Sequence, residues 1–462
     1  MNVSLTRADA AHLLRRAGWG GRSAEIDRVV ADGVEATVAR LLDPATAPVL
    51  VEPKAIPGFV PYEHTAAVGW FLRTCATSTA PAIERLTWFW HGHFATSVDK
   101  VDMVDLLVRQ LATLRRLSLG RFDDLLLAMA NDAAMNIWLD LGESVVGRPN
   151  ENFARELLEL FSMGAGNGYT QRDVVEAARA FTGHGLALDR TYHRPIGSRL
   201  FPTRHDYGTK TFLGQTGNLD GADIIATVVE RPECHRFLAE RFWLRYAGTA
   251  PRPEVIDTLA AAFAERLQVR DLLTALLTHP RFYDEEVRTG LVTQPFEVVV
   301  RVVRGFDLSM FDLTQVSYAE LEQAEERGEE EPYRPGRLYP GEPIEWLATM
   351  GQMPMLPPNV AGWPHNGPWL DSNRSAGRLL VGTMIGHRLI EDDGDGSVGQ
   401  ALLDSGRAGA RALTADLMER FGRVAWTEET EAAIGAALGD GGPAGVAAAV
   451  AVAFTSPEVT LA

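Results

Sequence analysis

Residues 150–164 read NENFARELLELFSMG, and this stretch decides the expected fold class. Its apolar side chains recur at the spacing that places them on one face of a helix. They are Phe153, Leu157, Leu158, Leu160 and Phe161. Gly164 ends the predicted helix, and Thr170 with Asp173 forms a capping pattern that begins another. The sequence therefore predicts short helices, each with one buried face.

The same spacing continues outward from this segment in both directions, with breaks at proline and glycine. Residues 186–213 are different, because they lack a helical period and are rich in turn residues. We therefore predict an all-α, large multi-helix globular domain, with one β-hairpin or irregular insertion near 186–213.

Composition also divides the chain along its length. We predict a main helical domain over residues 1–396, which includes N-terminal helices and an acidic loop near 319–343. Residues 397–462 are rich in alanine and glycine and are predicted to form a helical layer packed on the main domain.

Charge and hydropathy exclude several classes of function. The net charge of −17 would repel phosphate backbones, so nucleic acid is not an expected partner. No run of about 18 apolar residues predicts a membrane span. The chain start lacks the apolar region of a signal peptide, and Cys75 and Cys234 are too few for a disulfide framework. These features predict a cytoplasmic protein in a reducing compartment.

The segment RLTWFWHGHFATS, residues 85–97, is the first that could carry chemistry, because it concentrates Trp88, Trp90, His91 and His93. Neutral imidazoles bind zinc, iron, copper or nickel. In a continuous helix the two histidines would point about 200° apart, so a shared ligand requires either a helix break at Gly92 or an extended segment. Alternatively, both rings are held by hydrogen bonds beneath an aromatic cluster.

The polar residues of the 150–164 helix form the second segment. Glu151 and Glu156 lie at the borders of the apolar stripe, where a carboxylate could bind metal or act as general base. The alternative is an ordinary charged face, with Arg155 pairing Glu151 and Glu159 at i,i+4.

The third segment is HDYGTKTFLG, residues 205–214, on a predicted irregular loop. His205 could be a ligand or a base, Asp206 could orient it or bind metal itself, and Lys210 could neutralise an anionic group. A loop clamped by side-chain hydrogen bonds explains the same residues structurally.

The fourth segment is LPPNVAGWPHNGPWLDSNR, residues 356–374, which we name the Trp loop. Its prolines and glycines describe a rigid loop that presents Asn359, Trp363 and Trp369. Such a loop could wall a pocket or plug the core.

These segments, with HLLRRAGWG, YTQRDVVEAARAFTGH and HPRFYDEE, follow one another as in the bacterial family called domain of unknown function 1800. The chain resembles this family from about His12 to Arg378. The resemblance implies no established reaction. Many relatives look exported. The way in which the family's genes occur in genomes implies a sulfatase-like protein partner. This chain is expected to differ from those relatives in lacking an export signal. It also has His184 where the family is expected to have tryptophan, and His365 where glycine is expected. Neither histidine therefore suits a family-wide mechanism.

Two functions are compatible with these residues. The first is an enzyme dependent on a divalent transition metal, hydrolytic or oxidative, in which the four segments converge on a pocket. The metal ligands of this enzyme would be His91, His93 and His205. Its catalytic residues would be Glu151, Glu156, Asp206 and Lys210. The residues lining its pocket would be Trp88, Trp90, Arg155, Asn359, Trp363 and Trp369. The alternative is a non-catalytic scaffold or binding protein that presents the Trp loop to a protein or glycan. No nucleotide cofactor motif is found, and convergence in space would distinguish the two.

Overall fold

The computed structural model describes residues 5–50, 60–188, 195–310, 337–338, 341–391 and 398–461. The protein is mainly α, as predicted. In the first half of the chain the α-helices are Arg7–Ala17, Ser23–Asp32, Val34–Leu41, Val60–Thr77, Pro81–His93, Val98–Val101, Val104–Leu117, Phe122–Ala130, Ala133–Trp138, Asn152–Glu156, Gln171–Ala180 and Gly221–Val229. In the second half they are Pro232–Ala247, Pro253–Ala264, Val269–Thr278, Glu285–Arg288, Pro295–Gly305, Gly341–Thr349, Ser372–Glu391, Val398–Arg407, Ala410–Arg420, Glu428–Leu438, Pro443–Thr455 and Pro457–Thr460.

The 150–164 segment is helical, but it changes type partway. An α-helix over Asn152–Glu156 continues as a π-helix over Leu157–Ser162. The predicted start of the next helix is confirmed, because the Thr170 hydroxyl and the Asp173 carboxylate each accept from the other's backbone N–H.

The predicted hairpin near 186–213 is confirmed as two antiparallel pairs. His184–Leu188 pairs with Pro195–Leu200, and Lys210–Phe212 pairs with Gln215–Gly217. The second pair turns through Leu213 and Gly214, both at positive φ. A further short pair, Ser309–Met310 with Arg337–Leu338, is parallel.

The helix Pro81–His93, which we name the histidine helix, lies where two hydrophobic clusters meet. Phe89 and Trp90 belong to a first cluster that also holds the 150–164 helix and residues up to Val287. Trp88 belongs to a second cluster that includes most of residues 296–306 and the C-terminal helices. Residues on this helix therefore sit at the boundary between the two halves of the core.

A second helix at this boundary, Pro295–Gly305, is buried almost throughout, and we name it the central helix. It carries Glu297, which is 1 % exposed and paired with Arg85 at 3.2 Å and with Arg245. A buried carboxylate needs such partners, since desolvating an unpaired charge is costly.

The C-terminal helices contribute to the second cluster, in which Val446 and Val450 lie with Val381 and Ile385 of Ser372–Glu391. The domain boundary at residue 396 stays a prediction. The predicted acidic loop near 319–343 lies largely outside the described residues, which include only 337–338 and 341–343 of that range.

Among the described helices, none combines the length and apolar character that crossing a membrane requires. Cys75 and Cys234 are both buried and free. Burial raises the pKa of both thiols, so neither is a reactive thiolate at neutral pH.

Candidate functional site

The histidine helix continues through Gly92, so His91 and His93 point about 200° apart and are not brought together. The His91 Nε2 accepts from the Met355 backbone N–H at 2.9 Å. The His93 Nε2 donates to the Phe161 carbonyl at 2.9 Å. Each ring is thus held by a different part of the backbone.

Both of these histidines are buried, and burial lowers the pKa of each to about 3. The imidazoles are therefore neutral at physiological pH. At His93 the nearby Arg241 lowers the pKa further.

The polar face of the 150–164 helix forms ion pairs along the surface. Arg155 donates to Glu151 at 2.8 Å and to Glu159 at 3.2 Å, and Gln171 also donates to Glu151. Partly exposed pairs of this kind contribute at most about 1 kcal/mol each. Glu156 is half-buried, and burial raises the pKa of its carboxyl group.

The HDYG segment is clamped to neighbouring structure. His205 Nδ1 donates to the Thr182 carbonyl at 2.8 Å, and Asp206 accepts from Arg179 Nε at 2.8 Å. The buried Lys210 ammonium donates to the Asp206 carbonyl at 2.5 Å. The hydrogen bond from Arg179 lowers the pKa of Asp206, and burial lowers the pKa of Lys210.

The Trp loop both plugs the core and walls a pocket. Trp369 is 1 % exposed, and its Nε1 donates to the Pro364 carbonyl at 2.8 Å. Trp363 packs against Trp88 and His91, with ring centroids 4.8 and 5.2 Å apart.

Of the predicted site residues, His93, Trp88 and Trp363 line one common cavity. The others do not line it: His91, His205, Glu151, Glu156, Asp206, Lys210, Trp90, Arg155, Asn359 and Trp369. Trp90 donates to the Ser118 carbonyl, and Asn359 accepts from the Ala361 N–H within its own turn. Within the described ranges, no three His, Cys, Asp or Glu residues are grouped so that they could hold a metal ion.

The cavity has a volume of about 90 Å³ and is partly open to solvent. We name it the His–Arg cavity. It lies between the histidine helix, the helix Pro232–Ala247, the start of the central helix and the Trp loop. Its lining is Trp88, Phe89, Gly92, His93, Arg241, Leu244, Arg245, Gln294, Trp363, Pro364 and His365.

Four side chains that line the His–Arg cavity carry buried polar atoms without a hydrogen-bond partner in the described part of the chain. These atoms are His93 Nδ1, Arg241 Nε, Arg245 Nη1 and His365 Nε2. A buried polar atom left unpaired costs about 1–3 kcal/mol, and more when the group is charged. A concentration of such atoms at one cavity indicates a binding site.

The charge at the His–Arg cavity is positive. Burial, then Arg245 and Arg241, lower the pKa of His365 to about 4, so this ring is neutral, as His93 is. Arg245 is paired with Glu297, whereas Arg241 has no ion pair within the residues that the structure describes. Arg241 therefore leaves the cavity with an uncompensated cation.

Sequence reasoning missed Arg241, Arg245, Gln294 and His365. The two arginines are four residues apart in CHRFLAERFWLRYA and so share a helix face beside aromatic residues, a signal that an i,i+4 analysis could have found. His365 departs from the family pattern, so the sequence does not favour it as a site residue.

The fold and cavity define a mainly α protein with an internal site lined by histidine and arginine. The chain belongs to the family described as "Protein of unknown function (DUF1800)", whose model matches residues 12–461. The match thus extends through the C-terminal helices. Searches of curated proteins and of solved structures each gave no match.

Proposed function

We propose that this protein binds a small hydroxy acid, as its anion, in the His–Arg cavity. The observation that carries the proposal is the set of four unpaired buried polar atoms at this one cavity. Guanidinium groups pair well with carboxylates, and the carboxylate would supply the charge that Arg241 lacks.

The hydroxyl group follows from the tautomer of His93. Because its Nε2 donates to the Phe161 carbonyl, Nδ1 of the neutral ring carries a lone pair and no proton. A ligand that satisfies this atom must donate a hydrogen bond, whereas Arg241 and Arg245 require acceptors. A carboxylate and a hydroxyl on one small molecule supply both.

Size limits the ligand further. A volume of about 90 Å³ accommodates a few water molecules, or a small solute in their place. Glycolate is of this size. Trp88 and Trp363 provide apolar walls against which its methylene group would pack.

The electrostatics favour binding of an anion over proton transfer or metal binding at this cavity. With a pKa of about 3, His93 is too weak a base for efficient proton transfer near neutral pH. Two nearby guanidinium groups repel a metal cation and attract an anion.

Three sequence-based inferences stay predictions. They are divalent-metal-dependent hydrolysis or oxidation by the His, Glu and Asp residues named above, a sulfatase-like protein partner, and a cytoplasmic location. The two free cysteines fit a reducing compartment, where thiols persist.

The proposal is tested by titrating the full chain with glycolate and following intrinsic tryptophan fluorescence, since Trp88 and Trp363 line the cavity. We expect a saturable change with glycolate. Acetate should bind about tenfold more weakly or worse, because it leaves His93 Nδ1 unpaired.

Arg241→Gln should weaken glycolate binding by about tenfold or more. Arg236→Gln is the matched control, because Arg236 lies on the same helix but is exposed and paired with Asp257. Circular dichroism would verify that both variants fold. The absence of saturable glycolate binding, or equal affinity in folded Arg241→Gln and the parent, would contradict the proposal.

A further inference from the structure

A larger concave site lies apart from the His–Arg cavity, and we name it the arginine cleft. It has a volume of about 560 Å³, within the range of small-molecule sites. Four stretches that are distant in sequence form most of its wall: residues 18–22, 76–79, 301–307 and 420–422.

The arginine cleft is basic in an otherwise acidic protein. Six arginines line it, together with the acidic residues Glu25 and Asp307. The arginines are Arg22, Arg28, Arg40, Arg301, Arg304 and Arg420. Four of the six are ion-paired: Arg22 with Asp307, Arg28 and Arg40 with Asp32, and Arg420 with Asp416. The positive charge without an ion pair among the described residues comes from Arg301 and Arg304 on the central helix. The whole chain carries a net charge of −17, so this concentration of positive charge would focus anions on the cleft.

Arginines at the edge of the cleft are held in place by the protein. Arg22 donates to the Asp307 carboxylate at 2.5 Å and to the Gly305 carbonyl at 3.0 Å. Arg304 donates to the Ala76 carbonyl at 2.8 Å. These contacts fix the guanidinium groups before any ligand arrives, which lowers the entropic cost of binding.

The inner wall of the cleft carries two buried donors, Arg301 Nε and Trp19 Nε1. The side chains are 3 % and 1 % exposed, and neither atom has a partner within the described ranges. They come from different elements, the central helix and the turn after Arg7–Ala17. An oxygen-rich anion at this wall would satisfy both.

More positive charge lies behind this wall. Arg15 and Arg16 are buried, and each has at least one nitrogen without a partner in the described structure. Burial, followed by repulsion from Arg423 and Arg85, lowers the pKa of Arg301 to about 9, so it stays protonated at neutral pH. Glu297 also acts on Arg301, but it is already paired with Arg85 and Arg245.

Access to Arg301 depends on Gly20, which has a φ of +105°. A Cβ at this position would lie 3.9 Å from Arg301 Nε. Any side chain at this position would therefore lie between Arg301 and the cleft.

We propose that the arginine cleft binds a phosphate ester of about the size of a sugar phosphate. A phosphate group carries up to two negative charges and three strong acceptor oxygens, which suits several cations and donors that converge from different elements. A single carboxylate offers one planar pair of acceptors. The site is separate from the His–Arg cavity, and its ligand class is different.

Calorimetric titration of the full chain with ribose 5-phosphate tests this second proposal, with ribose and citrate as comparison ligands. We expect saturable binding of ribose 5-phosphate that weakens as salt is added, and none of ribose. Tighter binding of citrate than of ribose 5-phosphate would overturn the assignment to a phosphate ester.

Two variants locate the site. Arg301→Gln removes an inner donor and Arg420→Gln removes a charge at the edge, and each should weaken binding by about tenfold or more. Arg411→Gln is the control, because Arg411 is exposed on the same helix as Arg420 but does not line the cleft. Affinity unchanged in both folded cleft variants would overturn the proposal. Arg241→Gln should leave ribose 5-phosphate binding intact, so failure at one site is distinguishable from failure at the other.

Discussion

Arg241 shows most clearly how a single residue indicates function. Its side chain is mostly buried, its Nε has no partner, and no carboxylate in the described chain pairs with it. Burial lowers its pKa, as does Arg245 one turn away. A cation in this position reduces the stability of the folded state unless a ligand compensates it.

Replacing Arg241 by methionine should therefore stabilise the ligand-free protein while weakening glycolate binding. We expect the free energy of unfolding to rise by about 1–2 kcal/mol, because an unpaired buried charge is replaced by an apolar side chain of similar length. Urea unfolding without ligand measures this. Arg236→Met, on the exposed side of the same helix, should change stability by less than about 0.5 kcal/mol. A destabilised Arg241→Met would show instead that Arg241 supports the fold.

At the residue scale, the sequence identified His93, Trp88 and Trp363 but not the cations that complete the cavity. Histidine and tryptophan are candidate site residues from the sequence alone, because their side chains have specific chemistry and the residues are rare. An arginine on a helix is ordinary until burial is known, and burial depends on tertiary packing that no local pattern encodes.

Among the elements, the contact between the Trp loop and the histidine helix forms one wall of the His–Arg cavity. It depends on Gly362, whose φ is +82°, and where a Cβ would lie 2.2 Å from the Gly92 carbonyl oxygen. This close approach places Trp363 over Trp88 and His91.

Gly362→Ala should push the Trp loop away from the histidine helix. We expect a loss of about 3 kcal/mol or more in the free energy of unfolding, because both the backbone angle and the packing oppose a side chain. Trp363 should also become more exposed to solvent. Denaturant unfolding and tryptophan emission would report both effects.

Gly367→Ala provides the comparison within the same loop. A Cβ at Gly367 would meet no atom within 4 Å, and its φ is not in the left-handed region. The free energy of unfolding of the Gly367→Ala variant should therefore differ from that of the parent by less than about 0.5 kcal/mol. Equal effects of the two substitutions would show that the close contact at Gly362 does not hold the loop.

Whether a segment is helical was largely predictable from the sequence. The spacing of apolar residues indicates a helix, and glycine or proline indicates where it ends. Whether the histidine helix would break at Gly92 was not predictable, since glycine only weakens a helix and the decision depends on packing. The same applies to the π-helix Leu157–Ser162, which contains Phe161, the residue whose carbonyl accepts from His93.

For the whole molecule, the two hydrophobic clusters explain where the cavity lies but not what it contains. Segments around residues 88–93, 241–245, 294 and 363–365 meet at their boundary. Such convergence over long sequence separations is a property of the tertiary fold, and only three of the lining residues were candidate site residues from the sequence.

The buried neutral histidines make global stability sensitive to acid. The pKa of His91 is about 3 in the folded protein against about 6.5 when unfolded, so the unfolded state binds more protons between these values. Unfolding is then favoured as pH falls below 6.5. Between pH 7 and pH 5, His91 alone should reduce the free energy of unfolding by about 2 kcal/mol.

His91→Gln is the variant that isolates this effect. Glutamine keeps an acceptor for the Met355 N–H but does not titrate. The difference in unfolding free energy between parent and variant should shrink by about 2 kcal/mol from pH 7 to pH 5, as measured by urea unfolding at each pH. A difference independent of pH would show that His91 is not held neutral by burial.

A crystal structure of the protein at saturating glycolate would show directly whether the His–Arg cavity binds a small hydroxy acid. We expect glycolate in the cavity, with its carboxylate accepting from Arg241 and Arg245 and its hydroxyl donating to His93 Nδ1. Density for water alone between these side chains would contradict this expectation.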